Sequence, residues 1–213
     1  RTPLMWAIRT LASRTVELLL QRGANIEAKN EHGRTALMLA VEDDRQDMVT
    51  LLLENKAMIE ARDRIGKTAL LIACLPANID MVRFLLQKGA DIEAKDAWGQ
   101  SPLSLACSMV EEDLVRCLVE NHADTESRCR HGLSPLCYIW QGGDEIEKRV
   151  AAAKILLENG ADVEGRDGDG RSLLSSSAEL GHCSAIRWLL DNGAEIESQD
   201  ARGWAPLTWA ASS

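Results

Sequence analysis

The amino-acid sequence predicts an all-α solenoid of helix-turn-helix units joined by β-turn loops, with about six and a half repeats. Two observations predict this fold. A triplet of a small hydroxyl residue, then Pro or Ala, then Leu recurs along the chain at an almost fixed step. Between consecutive triplets, the spacing of apolar residues indicates two short helices. Because stacked units share one continuous core, we expect residues 1–213 to form a single domain.

The triplet sets the repeat boundaries. It keeps a step of 33 residues through the first five copies, then one step of 38 and one of 33. The copies begin at Thr2, Thr35, Thr68, Ser101, Ser134, Ser172 and, in degenerate form, Ala205. A glycine lies two residues before all but the first copy, at Gly33, Gly66, Gly99, Gly132, Gly170 and Gly203. The predicted units are residues 1–33, 34–66, 67–99, 100–132, 133–170, 171–203 and the partial unit 204–213.

A period of 33 residues that carries Thr-Pro-Leu and a following Ala is typical of the ankyrin repeat, a turn followed by two helices. The segment Gly89–Ala106 is a clear copy of this pattern, and the chain resembles the ankyrin repeat family over essentially its whole length. The Ile-Glu pairs of the loops and the segment Gly203–Ala211 are also similar to arrays attached to fungal NACHT-type signalling ATPases.

The family's Thr-Pro-Leu-His motif lacks its histidine throughout this chain. We expect packing to replace the hydrogen bonds that this histidine makes in the family. The replacing residues are Met5, Met38, Leu71, Ser104, Cys137, Ser175 and Thr208.

Each unit is predicted to contain a short first helix, as in Thr35 to Glu42, and a second helix with two adjacent large apolar residues. Burying one such side chain stabilises by about 1.5–3 kcal/mol, so stacking rather than a single unit offsets the ordering entropy. We expect these pairs to form the core. They are Leu19/Leu20, Leu52/Leu53, Leu85/Leu86, Leu118/Val119, Leu156/Leu157 and Leu189/Leu190.

Glycine is predicted to end the second helix in a left-handed conformation at Gly23, Gly89, Gly160 and Gly193. Lys56 and His122 occupy this place in the other two repeats. Because a non-glycine residue in this conformation costs on the order of 1 kcal/mol, we expect two weaker junctions.

An extended finger loop follows each second helix, and it carries a column of Glu two residues before a column of mostly basic residues. These columns would let neighbouring fingers pair charges, each pair contributing about 0–1 kcal/mol, but we favour solvated finger edges that help only slightly to set the register. The acidic column is Glu27, Glu60, Glu93, Glu126, Glu164 and Glu197. The basic column is Lys29, Arg62, Lys95, Arg128 and Arg166, with Gln199 as the exception.

Two repeats depart from the pattern between their helices. Pro76 is expected to help end the first helix of the third repeat. The fifth repeat carries five extra residues. There Gly142 and Gly143 loosen the turn, and Asp144 with Glu147 resembles a capping box. We therefore expect its second helix to begin about one turn early.

Composition excludes several classes of function. The formal net charge of −9 argues against a nucleic-acid-binding face, and the apolar runs are far shorter than the ~20 residues of a membrane helix. The six cysteines follow the repeat rather than a disulfide framework, with Cys74 and Cys107 expected as small core residues. A reducing setting, cytoplasmic or alternatively nuclear, fits best. Both ends interrupt a unit, so we expect an excerpt of a longer array or of a multidomain protein.

Three motif matches fail on the requirements of their chemistry. Ala61 stands where a phosphate-binding loop ending at Gly66 to Thr68 needs its first glycine. A calcium loop centred on Gly170 lacks its first and twelfth carboxylates. The spacing of Cys117, His122, Cys129, His131 and Cys137 matches no zinc pattern. We therefore expect no catalytic, cofactor or metal site.

The resemblance to ankyrin repeats implies a non-catalytic module that binds a protein through a concave surface of finger tips and first helices, monomeric by itself. Two alternatives stay open: a structural spacer, or a substrate-recruiting or sensor segment of a larger signalling ATPase or enzyme. The finger tips carry six basic and two acidic residues. The predicted partner-binding residues are Arg34, Arg64, Ile65, Lys67, Trp98, Gln100, Arg130, His131, Arg171, Arg202 and Trp204.

Tryptophan and arginine dominate interface hot spots. We therefore expect Trp98, Arg64, Lys67 and Arg130 to form the central patch, facing an acidic or acidic–aromatic partner surface.

Overall fold

The computed structural model describes residues 2–10, 12–141 and 146–212, and these residues contain thirteen α-helices and no strand. The prediction of an all-α fold is confirmed. The helices are α1 (Pro3–Arg9), α2 (Ser13–Gln21), α3 (Ala36–Glu42), α4 (Gln46–Glu54), α5 (Ala69–Cys74), α6 (Ile79–Gln87), α7 (Pro102–Met109), α8 (Glu112–Glu120), α9 (Pro135–Ile139), α10 (Ile146–Glu158), α11 (Leu173–Glu179), α12 (Cys183–Asp191) and α13 (Pro206–Ser212).

The helices pack within two compact units, residues 1–97 and 98–213. In the first unit, α1 packs on α2 and α3, α3 on α4 and α5, and α5 on α6. In the second unit, α7 packs on α8 and α9, α10 on α8, α9 and α12, and α11 on α12 and α13. The single domain over residues 1–213 remains a prediction.

The hydroxyl residue of the triplet caps the first helix in five repeats. Thr35 Oγ1 accepts a hydrogen bond from the Met38 N–H at 3.4 Å, and Thr68 Oγ1 accepts one from the Leu71 N–H at 3.4 Å. Such a cap satisfies a backbone donor that the helix leaves unpaired. The same cap occurs at Thr2, Ser101 and Ser172. Ser134 stands at the same place before α9 but makes no such side-chain bond.

Buried residues replace the missing histidines. In the fourth repeat, the hydroxyls of Ser101 and Ser104 lie 3.2 Å apart, and in the sixth repeat Ser172 Oγ donates to Ser175 Oγ at 3.2 Å. In four other repeats, a buried side chain stands in place of the histidine: Met5, Met38, Leu71 and Cys137. Only Thr208 is exposed at this position.

The core of five repeats is centred on the first member of the predicted apolar pair, whereas the prediction is wrong for the first repeat, where Leu19 and Leu20 are only half-buried. Leu52, Leu85, Leu118, Leu156 and Leu189 are completely buried, whereas their following neighbours are half-buried except for Val119. A second buried column, which the sequence analysis missed, lies one helical turn earlier at Val16, Val49, Val82 and Val115. The spacing of three residues places both columns on one helix face.

The predicted left-handed stops of the second helices are confirmed at all six positions. Lys56 and His122 adopt φ values of 66° and 65°, beside the glycines of the other four repeats. Three further non-glycine residues with positive φ lie in the turns between helices, at Asp44, Ala77 and Val110, 33 residues apart. Gly181 is the equivalent residue of the sixth repeat, with φ 67°.

The fifth repeat has the longest helix. Helix α10 contains thirteen residues, whereas the other described second helices contain nine, and the extension lies at its N-terminal end. This confirms the early start. The predicted capping residue Asp144 and the turn at Gly142 and Gly143 lie outside the described residues. Helix α5 ends at Cys74, two residues before Pro76, as expected.

Candidate protein-binding surface

Four fingers contain a tight turn that an acidic or amide side chain stabilises. Asp63 Oδ1 accepts hydrogen bonds from the backbone N–H groups of Ile65 and Lys67, both at 2.9 Å. This Asx-type turn fixes the tip conformation. Asn30, Asp167 and Asp200 make the same pair of bonds in their fingers. In the fourth repeat, Cys129 Sγ accepts from the His131 N–H instead, at 3.3 Å.

Four residues of the acidic column bind the backbone of the next finger. Glu60 Oε1 accepts a hydrogen bond from the backbone N–H of Asp91, at 2.9 Å. A carboxylate bound to a backbone donor makes a charge-assisted bond. The same bond joins Glu27 to Met58, Glu126 to Asp162, and Glu164 to Glu195.

Side chains of the basic column also bind the next finger, and they bond to backbone carbonyl groups of that finger. Lys29 Nζ donates to the Arg62 carbonyl at 2.8 Å, and Arg166 donates to the Gln199 carbonyl at 2.6 Å. Arg62 and Arg128 bond to the carbonyls of Lys95 and Arg166 in the same way. In these links, the charged side chains of both columns bind peptide groups of the next finger, and they help to hold the register of the repeats.

The finger tips contact each other closely within each unit. The Arg64 N–H donates to the His32 carbonyl at 3.1 Å, and the Arg130 N–H donates to the Trp98 carbonyl at 3.1 Å. A Cβ atom added to Gly33 would lie 2.7 Å from the Arg64 nitrogen. The tip glycine is therefore needed for this close approach as well as for its positive φ of 77°.

The structure divides the predicted partner-binding residues into two groups. Trp98 and Ile65 expose 50% and 39% of their surface, which is unusual for large apolar side chains on a tight turn. The exposed group consists of Arg64, Ile65, Trp98, Arg130, His131 and Arg202. The half-buried group consists of Arg34, Lys67, Gln100, Arg171 and Trp204.

Arg34 and Arg171 form equivalent internal ion pairs in the second and sixth repeats. Arg34 lies 2.6 Å from Glu42, and Arg171 lies 2.8 Å from Glu179. Arg171 also bonds to Asp167 at 2.9 Å. Burial alone would lower the pKa of Arg171, but the hydrogen bond and charge of Asp167 outweigh it and raise this pKa. Both arginines therefore join a finger to its own first helix.

Trp204 also makes an internal contact. Its ring lies 4.9 Å from that of Trp209, between ring centroids. The Trp209 indole in turn donates to Asp200 Oδ2 at 3.1 Å and lies beneath Arg171, whose guanidinium carbon is 5.1 Å from the ring centroid. This cluster fixes the finger of the last unit against α13.

A groove of about 220 Å³ lies between α9 and α11 on the side of the fingers. No sequence pattern described above predicted this groove. Trp140 lines the groove, and it occupies a repeat position that other repeats fill with smaller residues. This exceptional residue is the sequence feature that could have indicated the groove. The smaller residues are Ile8, Val41, Cys74, Cys107 and Ala178.

Neither a metal cluster nor a membrane span is found in the described part of the chain. No three His, Cys, Asp or Glu side chains among these residues are grouped so that they could hold a metal ion. No described helix is long and apolar enough to cross a bilayer. The five residues Cys117 to Cys137 of the rejected zinc pattern therefore do not form such a group.

Comparisons with known proteins agree on one kind of repeat. A family model described as ankyrin repeats (3 copies) matches residues 4–96 and 146–213. The ankyrin repeat domain of Bcl-3, titled a unique member of the IkappaB protein family, has a TM-score of 0.85 and 28% identity, covering 99% of this chain and 94% of that chain.

Two further solved structures are similar. An ankyrin repeat domain from Acinetobacter baumannii AYE has a TM-score of 0.79 and 25% identity, covering 91% of this chain and 98% of that chain. The human ASB11 ankyrin repeat domain has a TM-score of 0.75 and 24% identity, covering 99% and 92%. Among curated proteins, the comparison found no match.

Proposed function

Because this chain belongs to the ankyrin repeat family, as its triplets predicted, we propose that it is a non-catalytic module that binds a protein partner through its finger tips and first helices. Ankyrin repeat domains are generally protein–protein interaction modules, and the partner surface proposed for this chain is acidic or acidic–aromatic.

The observation that carries the proposal is the exposed pair of Trp98 and Arg130 in the second unit. The hydrogen bond from the Arg130 N–H to the Trp98 carbonyl fixes the two tips side by side. Both side chains are exposed, and no ion pair of Arg130 is found among the described residues. An indole beside a cation on rigid turns loses little side-chain entropy on binding, as interface hot spots require.

Arg64 and Lys67 give the first unit a similar cationic tip. A Cβ on Gly33 would lie 2.9 Å from the Arg64 Cγ, so the stem of Arg64 packs over the preceding finger while its residue stays exposed. Ile65 is exposed beside Arg64 and supplies apolar area. Since Arg34 and Arg171 are neutralised internally, we infer that the binding charge comes from Arg64, Lys67, Arg130 and Arg202.

The proposal is tested with a partner isolated by pull-down and single alanine variants. We expect Trp98→Ala, Arg64→Ala and Arg130→Ala each to weaken binding at least tenfold without changing the thermal midpoint. Arg187→Ala, an exposed arginine on the second helix α12, is the matched control and should bind like the wild type.

Two results would contradict the finger-tip proposal. If the tip variants bind normally while Glu147→Ala and Lys148→Ala abolish binding, the extended start of α10 is the site instead. If a full set of tip and first-helix variants leaves every partner bound, the array acts as a structural spacer.

A further inference from the structure

Helices α11, α12 and α13 leave an apolar face exposed in the second unit. Leu207 of α13 is 79% exposed and Ile196 in the preceding finger is 63% exposed, more than any other large apolar residue of the described chain. The residues equivalent to Leu207 in the other repeats are at most 2% exposed, so this position belongs to the core everywhere else. They are Leu4, Leu37, Leu70, Leu103, Leu136 and Leu174.

The face is exposed because α13 has no second helix beside it among the described residues. In the repeats before it, the first helix packs on a second helix, as α5 does on α6 and α11 on α12. Helix α12 is partly uncovered for the same reason. Its Ile186 is only half-buried, whereas the equivalent residues Val49, Val82 and Val115 are completely buried. Helix α13 therefore projects as a step, with a recess the width of a helix beside it and next to α12.

An apolar groove of about 250 Å³ lies in this recess. Its lining includes Ile186, Leu190, Leu207 and Ala210, and Glu197 is the only charged residue among the described lining residues. The ends of repeat arrays need a polar outer face to stay soluble, and a contiguous exposed apolar patch marks a surface that another protein covers. The charge and shape of the recess indicate what covers it.

The recess accepts an uncharged helix of narrow profile, and α13 is such a helix. Residues 206–212 contain no charged side chain. Ala210 and Ala211 are exposed and small, which shortens the distance at which another helix can pack. Leu207 provides a projecting apolar side chain. The step and the recess therefore lie on one surface patch, and this patch can be its own complement.

A patch that is its own complement produces a twofold dimer, in which the same residues of both copies meet. Such a contact brings like charges together wherever the patch is charged, and like charges across an interface oppose association. This patch avoids the repulsion, because Glu197 is its only charged lining residue and lies in the finger rather than on α13. The exposed apolar residues Ile65 and Trp98 lie beside arginines at the finger tips and do not meet this condition.

We propose that two copies of this chain form a twofold dimer through α12 and α13, with α13 of each copy filling the recess of the other. A twofold axis parallel to the helices produces this exchange and directs the two second units away from each other. Leu207 of one copy then faces Leu207 of the second copy near the axis, and Ile186 and Leu190 of each α12 are covered. The proposal needs no other protein, so it does not rest on the proposed function.

Sedimentation equilibrium of the full chain over a dilution series tests the dimer. The mass should rise with concentration from 23.4 kDa to twice this value and then stay constant, because a twofold interface closes on itself. Leu207→Glu should remain monomeric over the same series. Leu18→Glu is the matched control, since Leu18 is 50% exposed but lies on α2 in the first unit, and it should dimerise like the wild type.

A mixture of two charge variants tests the twofold contact itself. Leu207→Glu and Leu207→Lys should each be monomeric alone, because the substituted residue faces an identical charge near the axis. Mixed in equal amounts, they should recover dimers, since opposite charges then meet at the same place. Far-UV circular dichroism of each variant checks that the helices remain folded, which is expected because Leu207 is exposed.

Three results would overturn the proposal. A constant mass of 23.4 kDa at every concentration would support the monomer expected above. Growth of the mass beyond two copies, with loss of association in Leu18→Glu, would indicate head-to-tail stacking of arrays instead. A mixture that stays monomeric would show that Leu207 does not face its own equivalent. None of these results bears on the finger tips, whose partner binding is measured separately with Trp98→Ala.

Discussion

The Glu27 carboxylate accepts a hydrogen bond of 2.7 Å from the backbone N–H of Met58, which lies 31 residues later in the chain. Equivalent bonds at 2.9 Å from Asp91 to Glu60 and at 2.6 Å from Glu195 to Glu164 show that this is a repeated link between fingers. Within each unit, the acidic column therefore stabilises the stack by binding peptide groups.

Removing one such link should lower stability. We expect Glu60→Ala to reduce the free energy of unfolding by about 1 kcal/mol, because a charge-assisted hydrogen bond between repeats is lost. Glu60→Gln keeps an acceptor oxygen and should lose less than half as much. Urea denaturation measures both, with Glu54→Ala, an exposed residue of α4, as the control. Equal losses in all three variants would show that the bond contributes nothing specific.

Lys56 occupies a left-handed position with φ 66° and an exposed side chain. Lys56→Gly should therefore raise the free energy of unfolding by about 1 kcal/mol, because glycine adopts this conformation without steric cost. The matched variant is Gly89→Lys at the equivalent junction, where φ is +88° and an added Cβ would meet nothing within 4 Å. It should destabilise by a similar amount. If Lys56→Gly is destabilising, the left-handed assignment is wrong.

Gly33 and Gly23 have similar φ values, +77° and +81°, but different surroundings. Gly23→Ala should cost about 1 kcal/mol for the left-handed conformation alone. Gly33→Ala should cost about 1–3 kcal/mol more, because its Cβ would lie 2.7 Å from the Arg64 nitrogen. Urea denaturation of the two variants gives the difference directly, and equal costs would mean that the finger tips do not approach as described.

Cys183 is exposed, whereas the other five cysteines are buried. Burial raises the pKa of Cys107 and Cys137, which disfavours the reactive thiolate. At neutral pH, a thiol reagent such as Ellman's reagent should therefore modify one thiol of the native protein rapidly, and all six after denaturation. Cys183→Ser should remove the rapid phase. Rapid modification of a second thiol in this variant would contradict the buried positions.

Ionisation of the Asp200 carboxyl group makes the free energy of unfolding depend on pH. Its burial alone would raise its pKa, but hydrogen bonds from the Trp204 and Arg202 N–H groups and from the Trp209 indole outweigh this effect and hold the pKa below its ordinary value of 3.8. Since folding favours the charged form, the stabilisation is present above the unfolded pKa and is lost as pH falls through the lower folded pKa.

Asp200→Asn should therefore be less stable than the wild type at pH 7, because an amide nitrogen cannot accept from the Trp209 indole. The stability difference should hold down to about pH 4 and shrink in more acidic buffer. Urea denaturation followed by tryptophan fluorescence measures it at each pH. A difference that stays constant at every acidic pH would rule out the Asp200 carboxylate as its source.

The sequence alone determined the repeat and its local structure. The triplet predicted where first helices begin because the hydroxyl of a residue such as Thr35 needs only the N–H three residues later for its cap. The left-handed stop at Lys56 followed for the same reason, since the conformation that ends a helix is set within one turn. Caps and helix stops depend on residues that lie only a few positions apart in the chain. They therefore recur with each repeat and can be predicted from the sequence.

Tertiary structure decided how the charges and the exceptional side chains are used. Glu27 has Lys29 close in sequence, yet it bonds to Met58, because stacking brings a backbone donor to it from the next repeat. Arg34 was expected at the partner surface but is half-buried against Glu42. The groove beside Trp140 exists because the fifth and sixth repeats do not close around this one large side chain. Whether they close depends on how the side-chain volumes of two repeats fit together, and the composition of a single repeat does not determine it.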